Sequence, residues 1–335
     1  MFNKLYEKVV NYIKNEYKFI LFLVLLIFVG LYRLPYNIYT GGGILNVADK
    51  LEIEGEYHEK GSFNMAYVRS VKATIPVYLL SYLFNWERES IENAKIDEND
   101  NPKDIWKREQ IYLDEANSNA IICAYNKAGE YIKINKELLK ILYIDKDSDT
   151  SLKTGDVIKS IDGIELKSFD EIKDILQKHQ VEDKITVKYL RDDNEETGYI
   201  KVREIDGTKK AGIYLVKTYE YDVKRKAKLS FKNSEGGSSG GFMLSLAIYN
   251  RLIEEDLTKG RKIVGTGTID EKGNVGEIGG VKYKIIGANS GKADVFFVPE
   301  GNYDEAIKYK NEKGYSINIV KVKTLDEAIE YLRRN

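Results

Sequence analysis

The longest unbroken apolar stretch of the chain lies near its start. Residues Phe19 to Tyr32 (FILFLVLLIFVGLY) carry no charge and almost nothing polar, and Lys18 and Arg33 bracket them. A spanning helix wants about 20 apolar residues, so the run is short. Lys18 can snorkel, and Tyr32 and Tyr36 can sit at headgroup depth, which extends the usable span. The pattern predicts an uncleaved transmembrane anchor over 19–36. A cleaved signal peptide has an apolar core of similar length. The residues that follow are bulky (Arg33-Leu34-Pro35-Tyr36) and offer no small-residue cleavage site. A buried soluble helix is the third reading, and the absence of a polar face argues against it. Lys4, Lys8, Lys14 and Lys18 precede the run, whereas only Arg33 follows it before Lys50. The positive side stays in the cytoplasm. Residues 1–18 are therefore expected to be a cytoplasmic tail, and the rest of a single-pass cell-membrane protein is expected outside.

Beyond Gly41-Gly42-Gly43, strand-like patterns cover Leu45–Ile53 and Ser62–Ile75. Pro76 opens a helix-like run to Phe84, and residues 85–118 read as a charged helix and connector. Ala120–Tyr125 reads as a strand, as do Val157–Ile161 and Lys184–Leu190, with Asp162-Gly163 as a hairpin turn. Phe169, Ile172, Ile175 and Leu176 recur at helical spacing.

Thirteen of the 27 glycines fall between Gly236 and Gly291. That density marks sharp turns or close backbone approach. Glu235-Gly-Gly-Ser-Ser-Gly-Gly-Phe-Met243 leads into Phe242, Leu246, Tyr249 and Ile253 at helical spacing. A glycine/serine loop thus feeds a helix N-terminus, where free N–H groups favour negative charge. A serine there can attack a carbonyl while N–H groups hold the oxyanion; a flexible linker with a serine cap is the plainer reading. Val264–Val275 reads as strand, tight hairpin and strand. In Ile278–Ala288 a glycine pair opens a helix, with Val281, Lys284, Ile285 and Ala288 on one face and Lys282 and Tyr283 elsewhere. A lysine among apolar neighbours is either a snorkelling edge residue or a buried amine. A buried amine has a lowered pKa and can take a proton from a serine hydroxyl.

Composition narrows the chemistry. At 335 residues the chain has room for roughly two domains. Its 52 basic and 53 acidic side chains leave a formal charge of -1, which removes the simplest case for nucleic-acid binding. The single cysteine, Cys123, allows no intramolecular disulfide, and no cysteine- or histidine-based metal motif is present, so neither metal nor cofactor is expected. The two histidines, His58 and His179, lie outside the glycine-rich region. A histidine base is poorly placed by sequence, which favours lysine in that role.

Two resemblances follow. Leu152-Lys-Thr-Gly-Asp-Val-Ile-Lys-Ser-Ile-Asp-Gly163 followed by Phe169-Asp-Glu-Ile172 resembles a PDZ domain of the bacterial protease-associated kind, without an evident carboxylate loop near Ile134–Ile144. Ser238-Ser239-Gly240-Gly241, Thr266-Gly267, Gly279-Gly280-Val281-Lys282-Tyr283-Lys284 and Val295-Phe-Phe-Val-Pro-Glu300 resemble, in order and spacing, the motifs of the Lon proteolytic domain. Proline and alanine of the family's nucleophile motif are replaced by Ser238 and Gly240. The whole order is similar to membrane-anchored PDZ-containing Lon-like proteases. That resemblance implies an α+β fold: anchor 19–36, a strand and helix region 37–118 packing with the protease, a PDZ-like domain 119–205 and a Lon-type domain 206–335. It implies Ser239 as nucleophile and Lys284 as general base, supported by Thr266, Ser238, Gly237 and Gly240. It implies an ATP-independent serine endopeptidase, since the sequence has no G-x-x-x-x-G-K-[ST] loop. Protein or peptide substrates, binding through the PDZ-like part, and homo-oligomerisation are the partners it raises. The alternative is a catalytically degenerate PDZ scaffold tethered to the membrane.

Overall fold

The computed structural model describes residues 2–96, 100 and 102–335, with the side chains of residues 2–5 and 9 (Lys4 of the basic tail among them) outside the description. The chain divides into two compact units, Met1–Thr40 with Arg69–Lys95, and Gly41–Val68 with Ile96–Asn335.

In the first unit the helix Phe2–Leu31 ends short of residue 36, the expected limit of the anchor, because Arg33 opens a strand whose Tyr36–Tyr39 pair antiparallel with Glu87–Ser90. Lys14, Glu16 and Lys18 punctuate the helix, so its charge-free part is Phe19–Leu31. At 1.5 Å per residue that part rises about 20 Å, against about 30 Å of bilayer hydrocarbon. Among the described residues no helix is long and apolar enough to cross a membrane. The expected strand Ser62–Ile75 and the helix after it are observed as Ser62–Thr74 and Ile75–Leu83, with Pro76 in the first turn, where its missing N–H costs nothing.

The second unit contains a parallel arrangement of Ile319–Val322, Val295–Pro299, Lys262–Gly265 and the Ser62–Met65 part of Ser62–Thr74, side by side in that order. Side chains alternate across it. Ile263 and Phe297 pack with the helices Gly241–Leu252 and Leu325–Arg334, whereas Val264 and Phe296 pack with Val281–Ser290 and Tyr303–Lys313. Helices on both faces explain why these strands read as continuous apolar runs such as Val295-Phe-Phe-Val.

Ala120–Tyr125, expected as a strand, is instead the buried end of a long helix, Pro102–Ala128. It packs on Gly241–Leu252, which is itself buried all round. A short apolar run covered on every side has no visible periodicity, so strand and helix look alike in sequence.

A second sheet is antiparallel throughout, in the order Ile213–Val223, Ile132–Ile144, Val157–Ile161, Lys184–Arg191, Asn194–Lys201. The helix Phe169–Lys178 lays Ile172, Ile175 and Leu176 on it. Asp162 and Gly163 both take positive φ, the geometry of a tight hairpin turn. The two long strands bridge two cores. Leu139, Ile141 and Leu215 belong to this sheet's core, while Ile132, Tyr221 and Val223 pack against the core around Gly241–Leu252.

Candidate active site

The glycine/serine loop runs into the helix Gly241–Leu252, as the spacing predicted, and its course is set by three neighbours. Gly237 takes φ +89° and donates its N–H to the Glu109 carbonyl at 2.8 Å. Gln110 Nε2 donates to the Glu235 carbonyl at 2.6 Å. Lys50, itself buried, pairs with the Glu235 carboxylate at 2.8 Å. Burial pushes the Glu109 carboxyl above the usual range beside this loop.

Ser239 is tied to the strand end that carries the Thr-Gly pair. Its carbonyl accepts from Gly267 N at 2.8 Å and from Thr266 Oγ1 at 3.1 Å. Gly267 returns a bond, its carbonyl accepting from Phe242 N at 3.1 Å. A side chain at Gly267 would meet Val275 Cγ1 at 2.7 Å and Phe242 Cβ at 3.2 Å, so the close pairing needs glycine. Gly241 N donates to the Ser238 carbonyl at 3.1 Å, while the N–H groups of Ser239 and Gly240 donate to no protein acceptor among the described residues. At Gly240, where the family motif has alanine, a Cβ would sit 2.7 Å from Met65 Sδ.

Lys284 lies on the helix Val281–Ser290, between Val281, Ile285 and Ala288, and is 3 % exposed. Tyr283, expected off this apolar face, is buried as well. Gly280 enters the helix in the left-handed conformation, φ +67°. Asn302 clamps the entry: it accepts from Ile278 N at 2.9 Å and donates to the Ile278 carbonyl at 3.0 Å. Removal from water holds the Lys284 amine down at about 7. Its Nζ donates to Thr266 Oγ1 at 3.0 Å, and Thr266 in turn reaches the Ser239 carbonyl. Among the described residues no hydrogen bond joins Lys284 Nζ directly to Ser239 Oγ.

The six residues singled out by sequence divide accordingly. Lys284, Thr266 and Ser239 form one hydrogen-bonded chain, Gly237 shapes the loop, and Gly240 precedes the helix. Ser238 lines a cleft of about 430 Å³ together with Tyr112, Glu115, Asn119, Thr268 and Asp270. Glu109, Gln110, Asn119 and Asn302 were invisible in sequence, because a polar residue that bonds one distant backbone atom leaves no local pattern. Asn119, for example, is buried and donates to the Ile269 carbonyl at 3.1 Å. His179 sits 3.6 Å from Asp162 and 3.7 Å from Asp183 at the end of the antiparallel sheet, and His58 lines a separate cleft.

Two family descriptions match parts of the chain: the Lon protease (S16) C-terminal proteolytic domain over residues 232–334, and the PDZ domain over residues 136–202. The Lon protease of Aster yellows witches'-broom phytoplasma is 29 % identical over 92 residues, 28 % of this chain and 11 % of that protein. The Lon protease of Campylobacter jejuni is 33 % identical over 96 residues, 28 % of this chain and 12 % of that protein. The match therefore spans about an eighth or less of these relatives' length. The crystal structure of the PDZ domain of an SdrC-like protein from Listeria monocytogenes is 32 % identical, covers 25 % of this chain and 93 % of that one, and superposes with a TM-score of 0.24. The chain is thus a mixed α/β protein with a PDZ-like domain and a Lon-type protease domain.

Proposed function

We propose that the protein is an ATP-independent serine endopeptidase that uses Ser239 as nucleophile and Lys284 as general base, and that it is tethered to a membrane through the apolar end of its first helix. The observation that carries this reading is the buried Lys284 amine, depressed to about 7 and linked through Thr266 to the backbone of Ser239. Above that pH the amine is neutral and its lone pair can accept the Ser239 hydroxyl proton. The alkoxide attacks the scissile carbonyl, and the developing oxyanion is held by N–H groups of the Ser239–Gly240 turn. The Lys284 ammonium then protonates the leaving amine, and water, deprotonated by the regenerated amine, releases the acyl group. Ser239 is favoured over Ser238 because its own carbonyl belongs to the hydrogen-bonded chain that ends at Lys284.

The sequence holds no phosphate-binding loop of the G-x-x-x-x-G-K-[ST] type, in keeping with cleavage of flexible or already exposed segments. The PDZ-like domain would select those segments. Residues 36–335 would face the extracytoplasmic side, following the basic residues ahead of Phe19.

Hydrolysis of an unstructured protein such as casein by the full chain in detergent tests the reading. Ser239→Ala and Lys284→Ala are expected to abolish cleavage, and Ser238→Ala to leave most of it. Turnover surviving both of the first two substitutions would reject the dyad. Peptide binding without turnover by the native chain would instead favour the scaffold.

A further inference from the structure

The first unit carries a second apolar surface that the proposed active site does not use. Ile75 to Trp86 (IPVYLLSYLFNW) contains no charge in twelve residues. Its helix, Ile75–Leu83, packs beside Phe2–Leu31. Leu79, Leu80, Tyr82, Leu83 and Phe84 are exposed, Leu83 at 72 %. Within the helix, Ser81 is fully buried and donates to the Tyr78 carbonyl at 2.6 Å, and the Tyr78 and Tyr82 hydroxyls pair at 3.3 Å; Asn85, just beyond the helix, is the exposed polar residue between Phe84 and Trp86.

Amphipathic groups rim the surface. The rings of Tyr36 and Tyr78 lie 5.0 Å apart, those of Tyr78 and Tyr82 5.6 Å apart, and Phe84 stacks on Trp86 at 5.2 Å. The Arg88 guanidinium lies 3.9 Å from the Tyr82 ring centroid. Tyrosine, tryptophan and arginine around an apolar patch match the boundary between headgroups and hydrocarbon. Charge points the same way. Leaving aside residues 1–18, which belong to the other side of the bilayer in the proposed orientation, the first unit has five basic and three acidic side chains, a balance of +2, while the second unit has 43 and 48, a balance of -5.

We infer that Ile75–Trp86 inserts into one leaflet of an anionic lipid bilayer, beside the first helix. A nine-residue helix rises only about 14 Å, so it lies in the interface and does not span. The inference rests on the membrane attachment proposed above and extends it. The charge-free part of Phe2–Leu31 is shorter than the hydrocarbon, and an inserted neighbour offsets that mismatch by adding apolar contact and letting the bilayer thin locally.

The test uses the full chain carrying Trp106→Phe, which leaves Trp86 as the sole tryptophan. It is reconstituted into vesicles of phosphatidylcholine and phosphatidylglycerol, with and without brominated acyl chains. Insertion predicts blue-shifted Trp86 emission, quenching by brominated lipid and protection from aqueous iodide. Adding Leu79→Glu and Leu83→Glu should abolish those three effects while casein cleavage persists. Trp86 equally open to iodide with and without vesicles, in protein that floats with them, overturns the inference but leaves the tether standing. Failure to float at all removes the tether. Trp86 shielded without lipid, together with concentration-dependent self-association, would assign the surface to a second copy and overturn the lipid assignment.

Discussion

Lys284 Nζ donates a 3.0 Å hydrogen bond to Thr266 Oγ1, across 18 residues of sequence and inside the protein. Thr266 passes the contact on to the carbonyl of Ser239, so a single threonine fixes a buried amine relative to the serine loop. Among the described residues the amine has no carboxylate partner to hold its charge; burial is the cause of its low pKa.

Cleavage should therefore depend on the neutral amine. Activity is expected to rise as pH increases through about 7 and to level off above it. Steady-state hydrolysis of a fluorogenic peptide between pH 5 and 9 reads this directly. A profile that stays flat through neutrality would point to another base.

Stability should carry a second mark of the same burial, displaced to higher pH. Folding lowers the Lys284 pKa from 10.5 to about 7, so between those values the unfolded chain binds the extra proton. Unfolding free energy then rises with pH by about 1.4 kcal/mol per unit across that window, and below pH 7 the full penalty of a buried ammonium is present. Lys284→Met is expected to be more stable than the native chain at pH 6–7 and to lack this slope. Denaturant titrations at several pH values compare the two.

Thr266→Val keeps shape and removes the acceptor that the ammonium uses. The charged form of Lys284 loses its hydrogen bond, so the midpoint of the pH–rate profile should move below its native position. The Ser239 carbonyl retains Gly267 N, and the expected stability loss is about 1 kcal/mol. Turnover should fall while KM changes little, because the change touches the base and not the cleft. An unmoved midpoint would assign Thr266 a structural role only.

Gly237→Ala should damage activity beyond its cost in stability. Its φ of +89° is unfavourable for an L side chain, by about 1–2 kcal/mol, and the new Cβ would lie 3.1 Å from Glu109 Oε2. Gly129→Ala is the control: its φ is +70° with open space around it, and it lies at the end of a helix away from the serine loop. Comparable melting temperatures with cleavage lost only in the first variant are expected.

Much of this molecule is legible along the chain because it is local. Hairpin turns need residues tolerant of positive φ, as at Asp162-Gly163, and the helix Phe169–Lys178 declares itself through one apolar stripe. The serine loop, the Thr-Gly pair and the glycine pair before Lys284 stand out because close backbone approach excludes side chains. The limit of the first helix is less legible: an apolar run does not announce where a strand takes over, and here pairing of Tyr36–Tyr39 with Glu87–Ser90 accompanies that change.

Residue order alone determined which side chains were available for chemistry: a serine in a glycine-rich turn, a lysine on an apolar face, one cysteine and two distant histidines. Tertiary structure decided which of them act on one another. The helix Pro102–Ala128 reads as a charged helix, a connector and a strand with no sign of what it touches, yet Glu109 and Gln110 hold the serine loop and Asn119 holds the strand end opposite, through bonds to backbone atoms over a hundred residues away. The pKa of Lys284 is likewise a property of packing, since an amine titrates according to the water it has lost, and only the folded chain removes that water.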